Sequence, residues 1–469
     1  MGDLDVLTPL INSQDPLYSQ DQITITENPT AWGRLYPENE FLKIEDLMKD
    51  SYKAGRQTND IDFQFTKQCF SLKVMNHISK IHFVITREMI GTLGYVVFIT
   101  DTSSNGTFLN GEKIGKDCRW ILSNNDKIAV VSKTNNVYTF TDKQTDNSNF
   151  PQKVKEQFAV YGILGSGTFG EVRLAFEKKS LKCFALKKVK KESCIVLREP
   201  TILSSLSHPN IVNMEHFIDT INFIYIGLEY IPGGTLKQLL NINHLKEFEA
   251  KVILYQVARA VQYLHNRSIA HRDLKPGNIL LSKQSPYCQV KLADFGLSKK
   301  ITDNTHLKTF CGSLAYLAPE VFTKKQLSKQ FTYSSGNYTR KVDSWSFGVI
   351  LYECLTGSKP FDGDHIEEKV YKGTYNPFKL IISNASNCAQ DIIKQLLKVD
   401  YSMRFDFDRI LKHIWFDKDV LMKQKVNDLI AEFSHILKSN EIPNYNKENV
   451  NKKLRICPCF SPMSDSDQA

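Results

Sequence analysis

Residues 271 to 296, HRDLKPGNILLSKQSPYCQVKLADFG, constrain this chain more than any other stretch. The octet HRDLKPGN sets one carboxylate (Asp273), one ammonium (Lys275) and one amide (Asn278) within a single loop. A second carboxylate, Asp294, follows on a DFG turn after the short apolar strand VKLA. Phosphoryl transfer needs such a set: a carboxylate to accept a hydroxyl proton, oxygen ligands for a metal ion, and positive charge near the migrating group. DFG alone arises by chance, whereas the octet followed by DFG at loop–strand–loop spacing does not.

With 469 residues the chain is too long for one core, and two or three domains are expected. No run of about eighteen apolar residues occurs, so no membrane span is expected. The start, MGDLDVLTPLINSQD, lacks the basic and apolar regions of a signal peptide. The ten cysteines form no CxxC pair, which fits reduced thiols of the cytosol or nucleus rather than a disulfide framework or a zinc site. A net charge of +9 is modest, and without aromatic-plus-basic patterning no direct nucleic-acid binding is expected.

Upstream lies YGILGSGTFGEVRLAF. Gly165, Gly167 and Gly170 let a strand–turn–strand close over phosphates with backbone N–H groups pointing inward. GxGxxG also occurs in dinucleotide folds, but a β-rich segment with Val172 follows here, where a dinucleotide unit would begin a helix. FALK sets Lys187 on the next strand, and Glu199 is the expected helix-borne partner of its ammonium. Only twelve residues separate the two, and Pro200 follows at once. Proline is tolerated only in a first helical turn, so a short helix starting close to Glu199 is expected, with the pair forming in the active state. IGLEYIPGG reads as a buried strand entering a connector whose backbone, from Glu229 to Ile231, meets an adenine edge.

In this order the motifs resemble protein kinases, and Lys275 marks the serine/threonine version. The resemblance implies an α+β bilobal catalytic domain that uses ATP and Mg²⁺ and acts on protein substrates. Asp273 would deprotonate the substrate hydroxyl, and Lys275 would stabilise charge on the transferring group. Asn278 and Asp294 would hold Mg²⁺, while Lys187 and Glu199 complete the catalytic set. Leu164, Gly165, Ser166, Gly167, Gly170, Val172, Ala185, Lys187, Glu229 and Ile231 would surround ATP. In TFCGSLAYLAPE, Thr309 is the first candidate activation phosphosite and Ser313 the second, with Arg272 as the cation for such a phosphate. Arg404 is placed to pair with Glu320, and Asp343 to brace the catalytic loop. Gly277 and Thr235 stand where arginine-directed kinases carry acids, leaving the substrate preference open.

Residues 31 to 142 read differently: short β runs (FLKIE, IHFVIT, YVVFITD, KIAVV, VYTFT) between turn clusters suggest a β-sandwich. Gly55-Arg56, HISKIHFVI and DTSSNGTFLNG would put Arg56, Ser79, Lys80, Ser104 and Asn105 on loops of one end, a set suited to a phosphate dianion. That order resembles the forkhead-associated (FHA) domain, a phosphothreonine-binding module. By this resemblance Arg56, Ser79, Lys80 and Ser104 contact phosphate, Asn105 holds the peptide backbone, and His82 and Gly55 shape the loops.

The whole is therefore a multidomain chain, an N-terminal all-β FHA sandwich followed by the kinase domain, similar to the checkpoint kinase 2 family of DNA-damage effector kinases. The expected layout is a leader (1–28), the FHA domain (29–142), a polar linker (143–156), the catalytic domain (157–416), an amphipathic helix (417–438) and a basic tail (439–469). The family implies a nuclear (and also cytoplasmic) role, an upstream SQ/TQ-directed kinase acting at Ser13 and Ser19, and a transient homodimer. FHA pockets prefer phosphothreonine, so the two serines point instead to Thr8 or to threonines of other proteins as ligands. Competing readings are the same enzyme in another cell-cycle or meiotic pathway, and a scaffold with an inactive kinase domain. In the tail, Lys452, Lys453 and Arg455 are candidates for nuclear import, and Cys457 and Cys459 for acylation.

Overall fold

A computed structural model of the protein describes residues 30–57, 59–90, 94–143, 150–167, 170–191, 198–300, 314–321 and 336–438. Ser13, Ser19, Thr8, Thr309, Ser313 and the tail positions lie outside them.

Alternation of apolar and polar residues in the first third builds two packed antiparallel-rich sheets. One runs β2 (Glu45–Leu47), β1 (Gly33–Pro37), β11 (Asn136–Asp142), β10 (Lys127–Val130), β7 (Thr107–Leu109), β8 (Glu112–Lys113). The other runs β4 (Phe63–Gln64), β3 (Ser51–Gly55), β5 (Phe83–Met89), β6 (Tyr95–Asp101), β9 (Arg119–Ile121). Leu35, Phe83, Ile85, Val97, Ile99, Ile128 and Phe140 fill the space between the sheets. The phosphate-suited loops follow β3 and β6 and precede β5, so one end of the sandwich gathers all three.

The second domain opens with a five-stranded antiparallel sheet in the order β12 (Phe158–Gly167), β13 (Gly170–Glu177), β14 (Cys183–Lys190), β16 (Phe223–Glu229), β15 (Met214–Asp219). Helix α3 (Arg198–Leu203) is a single six-residue element, and Pro200 falls in its first turn, where its missing N–H costs nothing. Within the segment expected as linker, Phe150 and Val154 are buried against this sheet, Val154 on the short helix α2 (Gln152–Gln157). A helical lobe follows, centred on α5 (Glu247–Asn266) and α6 (Gly336–Thr356). Strand β19 (Val290–Leu292) lies against α5 and pairs with β18 (Ile279–Leu281), which follows the catalytic loop. The last described helix, α7 (Val420–Lys438), sends Met422, Val426 and Leu429 into the same core, tied by Lys251 to Asp419 at 3.0 Å.

β6 breaks the alternation: YVVFIT is apolar on both sides. Val97 and Ile99 enter the sandwich core, while Val96 and Phe98 leave by the opposite face and meet the β12–β13 hairpin of the second domain.

Arg404, fully buried, grips Glu320 with two bonds, Nη1–Oε1 at 2.7 Å and Nη2–Oε2 at 2.9 Å, as its spacing suggested. Stripping one partner from such a pair leaves an uncompensated buried charge. Arg404→Ala is expected to cost the second domain about 3–5 kcal/mol in denaturant unfolding; a loss below about 1 kcal/mol would show that the pair does not anchor residues 314–321.

Candidate functional site

The glycine hairpin pairs Gly167 with Gly170 across its turn. Gly170 has φ +145°, and a Cβ there would lie 2.0 Å from the Lys188 carbonyl oxygen, so only glycine fits. Gly165 faces open space, with Ser166 exposed beside it. Leu164 leans on an apolar cluster whose Leu174 shares the sheet face of Val172 and Ala185. Val172 stands opposite Lys187 and Ala185 opposite Leu228, so these strands form the roof of one cleft.

Lys187 Nζ donates to both oxygens of Glu199, at 2.8 and 2.7 Å, and to Asp294 Oδ1 at 2.9 Å. The sheet, α3 and the DFG turn thus meet on one ammonium. Burial opposes the lysine's charge, but the two carboxylates hold it above the usual lysine range. Burial likewise opposes the charge on Asp294, yet Lys187 holds its carboxyl below the usual aspartate range. Asp294 itself sits at φ +61°, and the following Phe295 is buried edge-on against His271, with ring centroids 5.1 Å apart.

Across the cleft, Asp273 Oδ2 accepts from Lys275 Nζ at 2.7 Å and from Asn278 Nδ2 at 3.0 Å; the same amide reaches the Asp273 carbonyl at 2.8 Å. Asp273 Oδ1 accepts no hydrogen bond among the described residues. The loop hangs on buried Asp343, which accepts from the Arg272 N–H at 2.8 Å, the His271 N–H at 2.9 Å and His265 Nε2 at 2.8 Å. Burial works against the Asp343 charge, but His265 and these amides keep its carboxyl below the usual range. At the connector, the Glu229 side chain is held by Lys291 at 2.5 Å and caps the Asn213 N–H at 2.7 Å, leaving Ile231 buried at the cleft edge.

Asn278 and Asp294 fit a hard divalent cation. The Asn278 NH₂ is committed to Asp273, so its carbonyl oxygen is the free end; Asp294 Oδ2 likewise has no hydrogen bond among the described residues. Two such oxygens, completed by phosphates and water, match magnesium's habit.

At the sandwich end, the Arg56 N–H donates to the Ser79 carbonyl and the Gln57 N–H to that of Lys80, both at 3.2 Å. Gly55 makes this approach possible, since a Cβ would lie 2.2 Å from the Lys80 oxygen. Ser79 Oγ accepts from the Ser104 N–H at 3.1 Å, and Asn105 Nδ2 donates to the His77 carbonyl at 2.7 Å. The exposed Arg56, Lys80, Ser104 and Asn105 therefore share one rim with Ser79. His82 is buried beneath them: Nδ1 accepts from the Ser79 N–H at 3.1 Å, and Nε2 lies 3.0 Å from the Gly106 carbonyl. Sequence reasoning missed Asp101, whose buried carboxylate holds Ser103 and Thr107 and so shapes the same loop. Its signal was there, an aspartate two residues before a serine in DTSSNG, the pattern of an Asx turn.

Burial holds the His82 imidazole below the usual histidine range, against help from Gly106 and Asp101. The unfolded chain therefore takes up this proton at higher pH than the folded one. The histidine's stabilisation is complete above about pH 6.5 and is lost as pH falls through the depressed folded value. In thermal unfolding of the full chain, the sandwich transition should fall between about pH 7.5 and 5.5, and fall less in His82→Gln. Equal slopes in the two proteins would remove His82 from that role.

The protein kinase domain family matches residues 158–416 and the FHA domain family residues 52–131. The ovarian-specific serine/threonine-protein kinase Lok of Drosophila melanogaster is 35% identical over 438 residues, 85% of this chain and 89% of that protein. The serine/threonine-protein kinase cds1 of Schizosaccharomyces pombe is 36% identical over 68% of this chain and 73% of its own length. The crystal structure of Rad53 1–466 in complex with AMP-PNP matches with a TM-score of 0.54 at 30% identity, over 82% of this chain and 99% of that one. The chain belongs to the FHA-containing serine/threonine protein kinases of the checkpoint kinase 2 type, ATP-dependent enzymes that act on proteins.

Proposed function

We propose that Asp273 orients the substrate's serine or threonine hydroxyl and takes its proton, while Lys275 steadies charge on the transferring phosphoryl group. The observation that carries this assignment is the pair of hydrogen-bonded clusters, Lys187–Glu199–Asp294 and Asp273–Lys275–Asn278, joined where the Ala293 N–H donates to the Asn278 carbonyl at 2.9 Å. Asp273 Oδ2 is anchored by two donors, which leaves Oδ1 to the incoming hydroxyl. Lys187 and the glycine hairpin position the ATP phosphates, with Leu164, Val172, Ala185 and the Glu229–Ile231 backbone around the base and sugar. Asn278 and Asp294 would hold Mg²⁺, which when bound neutralises phosphate charge. Positioning and electrostatics do most of the work in phosphoryl transfer, so removing one of these groups costs orders of magnitude. Asp273→Ala is expected to fold and to lose at least about 100-fold in turnover, the lower end of general-base effects; near-normal turnover would defeat the assignment.

Arg56, Ser79, Lys80 and Ser104 bind phosphothreonine and Asn105 the peptide backbone; their common rim supports this reading. We place the enzyme in nuclear DNA-damage checkpoint signalling, with Ser13 and Ser19 as targets of an upstream SQ-directed kinase. Thr309 and Ser313 would be phosphorylated in trans within a transient homodimer. Phosphorylation of Ser13, Ser19 and Thr309 should rise after DNA breakage. No change at any of them would remove the pathway and leave the catalytic assignment standing. A second reading, germline signalling, draws on the ovarian-specific Drosophila relative, and would show as phosphorylation confined to gonadal cells.

A further inference from the structure

The outer face of one sandwich sheet and the β12–β13 side of the catalytic-domain sheet cover each other. On β6, Val97 and Ile99 point into the sandwich and Val96 and Phe98 out of it. On β12 and β13, Phe158, Val160 and Ala175 face the inner cluster with Phe150 and Tyr225, while Ala159, Tyr161, Leu174 and Phe176 face the other way. The two outward sets, with Ile90 and Ile121, form one apolar cluster in which no side chain is more than 6% exposed. Residues so fully dehydrated form a packed core shared between domains, not a glancing contact. Its rim is polar: Lys179 Nζ meets Glu112 Oε2 at 2.7 Å, Lys178 Nζ lies 3.5 Å from Asp126 Oδ1, and Arg119 stacks 4.2 Å from the Phe98 ring centroid.

The place of this core on the catalytic domain gives it a consequence. Tyr161 lies four residues before Gly165, and Leu174 four after Gly170, so the sandwich grips both legs of the glycine hairpin. A hairpin whose turn is glycine-rich loses much backbone freedom when it closes on a ligand. Fixing its legs in advance removes part of that loss from the binding step. We propose that the outer face of β6 and β9 is a splint for the glycine hairpin, so that Val96, Phe98 and Ile121 of the phosphopeptide-binding domain are positioning residues for ATP in the other domain. The proposal rests on the reading of the hairpin as the cover of the ATP phosphates.

The test uses the full-length chain and Phe98→Glu, a change on the outer face that leaves the Val97/Ile99 core in place. Steady-state phosphorylation of dephosphorylated casein gives KM for ATP and kcat, and hydrogen–deuterium exchange reports the hairpin (158–177) and the sandwich core separately. The expected result is a rise in KM for ATP of about five-fold or more, kcat within about two-fold, and faster exchange in the hairpin with the sandwich core unchanged. Should Phe98→Glu unfold the sandwich, Val96→Ser and the catalytic-domain variant Leu174→Ser carry the same readouts. Unchanged KM and unchanged hairpin exchange in a variant whose sandwich is intact would overturn the splint. A wild-type chain without ATP-dependent phosphorylation would overturn the kinase site instead, and the exchange data would still decide whether the sandwich stiffens the hairpin.

Discussion

One buried ammonium organises the catalytic half of this molecule. Lys187 sits on a strand, Glu199 on a helix and Asp294 on a turn far along the chain, and both carboxylates come within 2.9 Å of the lysine Nζ. Lys187 and Glu199 are both buried, and neither is tolerable alone, because an unpaired buried charge costs several kcal/mol. The sheet, α3 and the DFG turn are therefore held in a common position by charge pairing rather than by shape alone. Helix α3 adds apolar packing to this tether through Ile202 and Leu203, both buried in the core.

The same logic of burial sets the second site. Phosphate-binding side chains must be exposed, yet their loops must not wander. The chain meets both demands by sinking His82 and Asp101 beneath the rim and hydrogen-bonding them to the loops before β5 and after β6. Charge and hydrogen bonding thus fix each site locally, and an apolar sheet-on-sheet contact fixes the two domains to each other. A phosphopeptide module and a phosphotransfer module joined only by a polar tether would move independently; these two share a core.

Much of this was legible in the residues. HRDLKPGN, DFG, the glycine turn, FALK and the APE glutamate with its distant arginine each require particular chemistry at particular spacing, so they announce their partners. Glu199 could be chosen despite Pro200 because only a first-turn proline is compatible with helix, and that is where it falls. Three things were harder to read. YVVFIT announces burial on both faces but carries no information on what covers the second, because hydrophobic periodicity names a face and not its partner. Phe150 and Val154 sit in a polar stretch whose composition reads as linker, and two apolar residues are too few to set a period. Asp101 lies in an ordinary turn sequence, and only its burial beneath the loop marks it as a builder of the site.

The most direct measurement of the central claim is Mg·ATP-dependent transfer of labelled phosphate to serine and threonine of a protein substrate by the purified full-length chain, beside Lys187→Met. The account predicts incorporation by the wild type and at least about 100-fold less by the variant, whose ammonium no longer joins Glu199 to Asp294. A wild-type chain that transfers no phosphate, or a variant as active as the wild type, would contradict it.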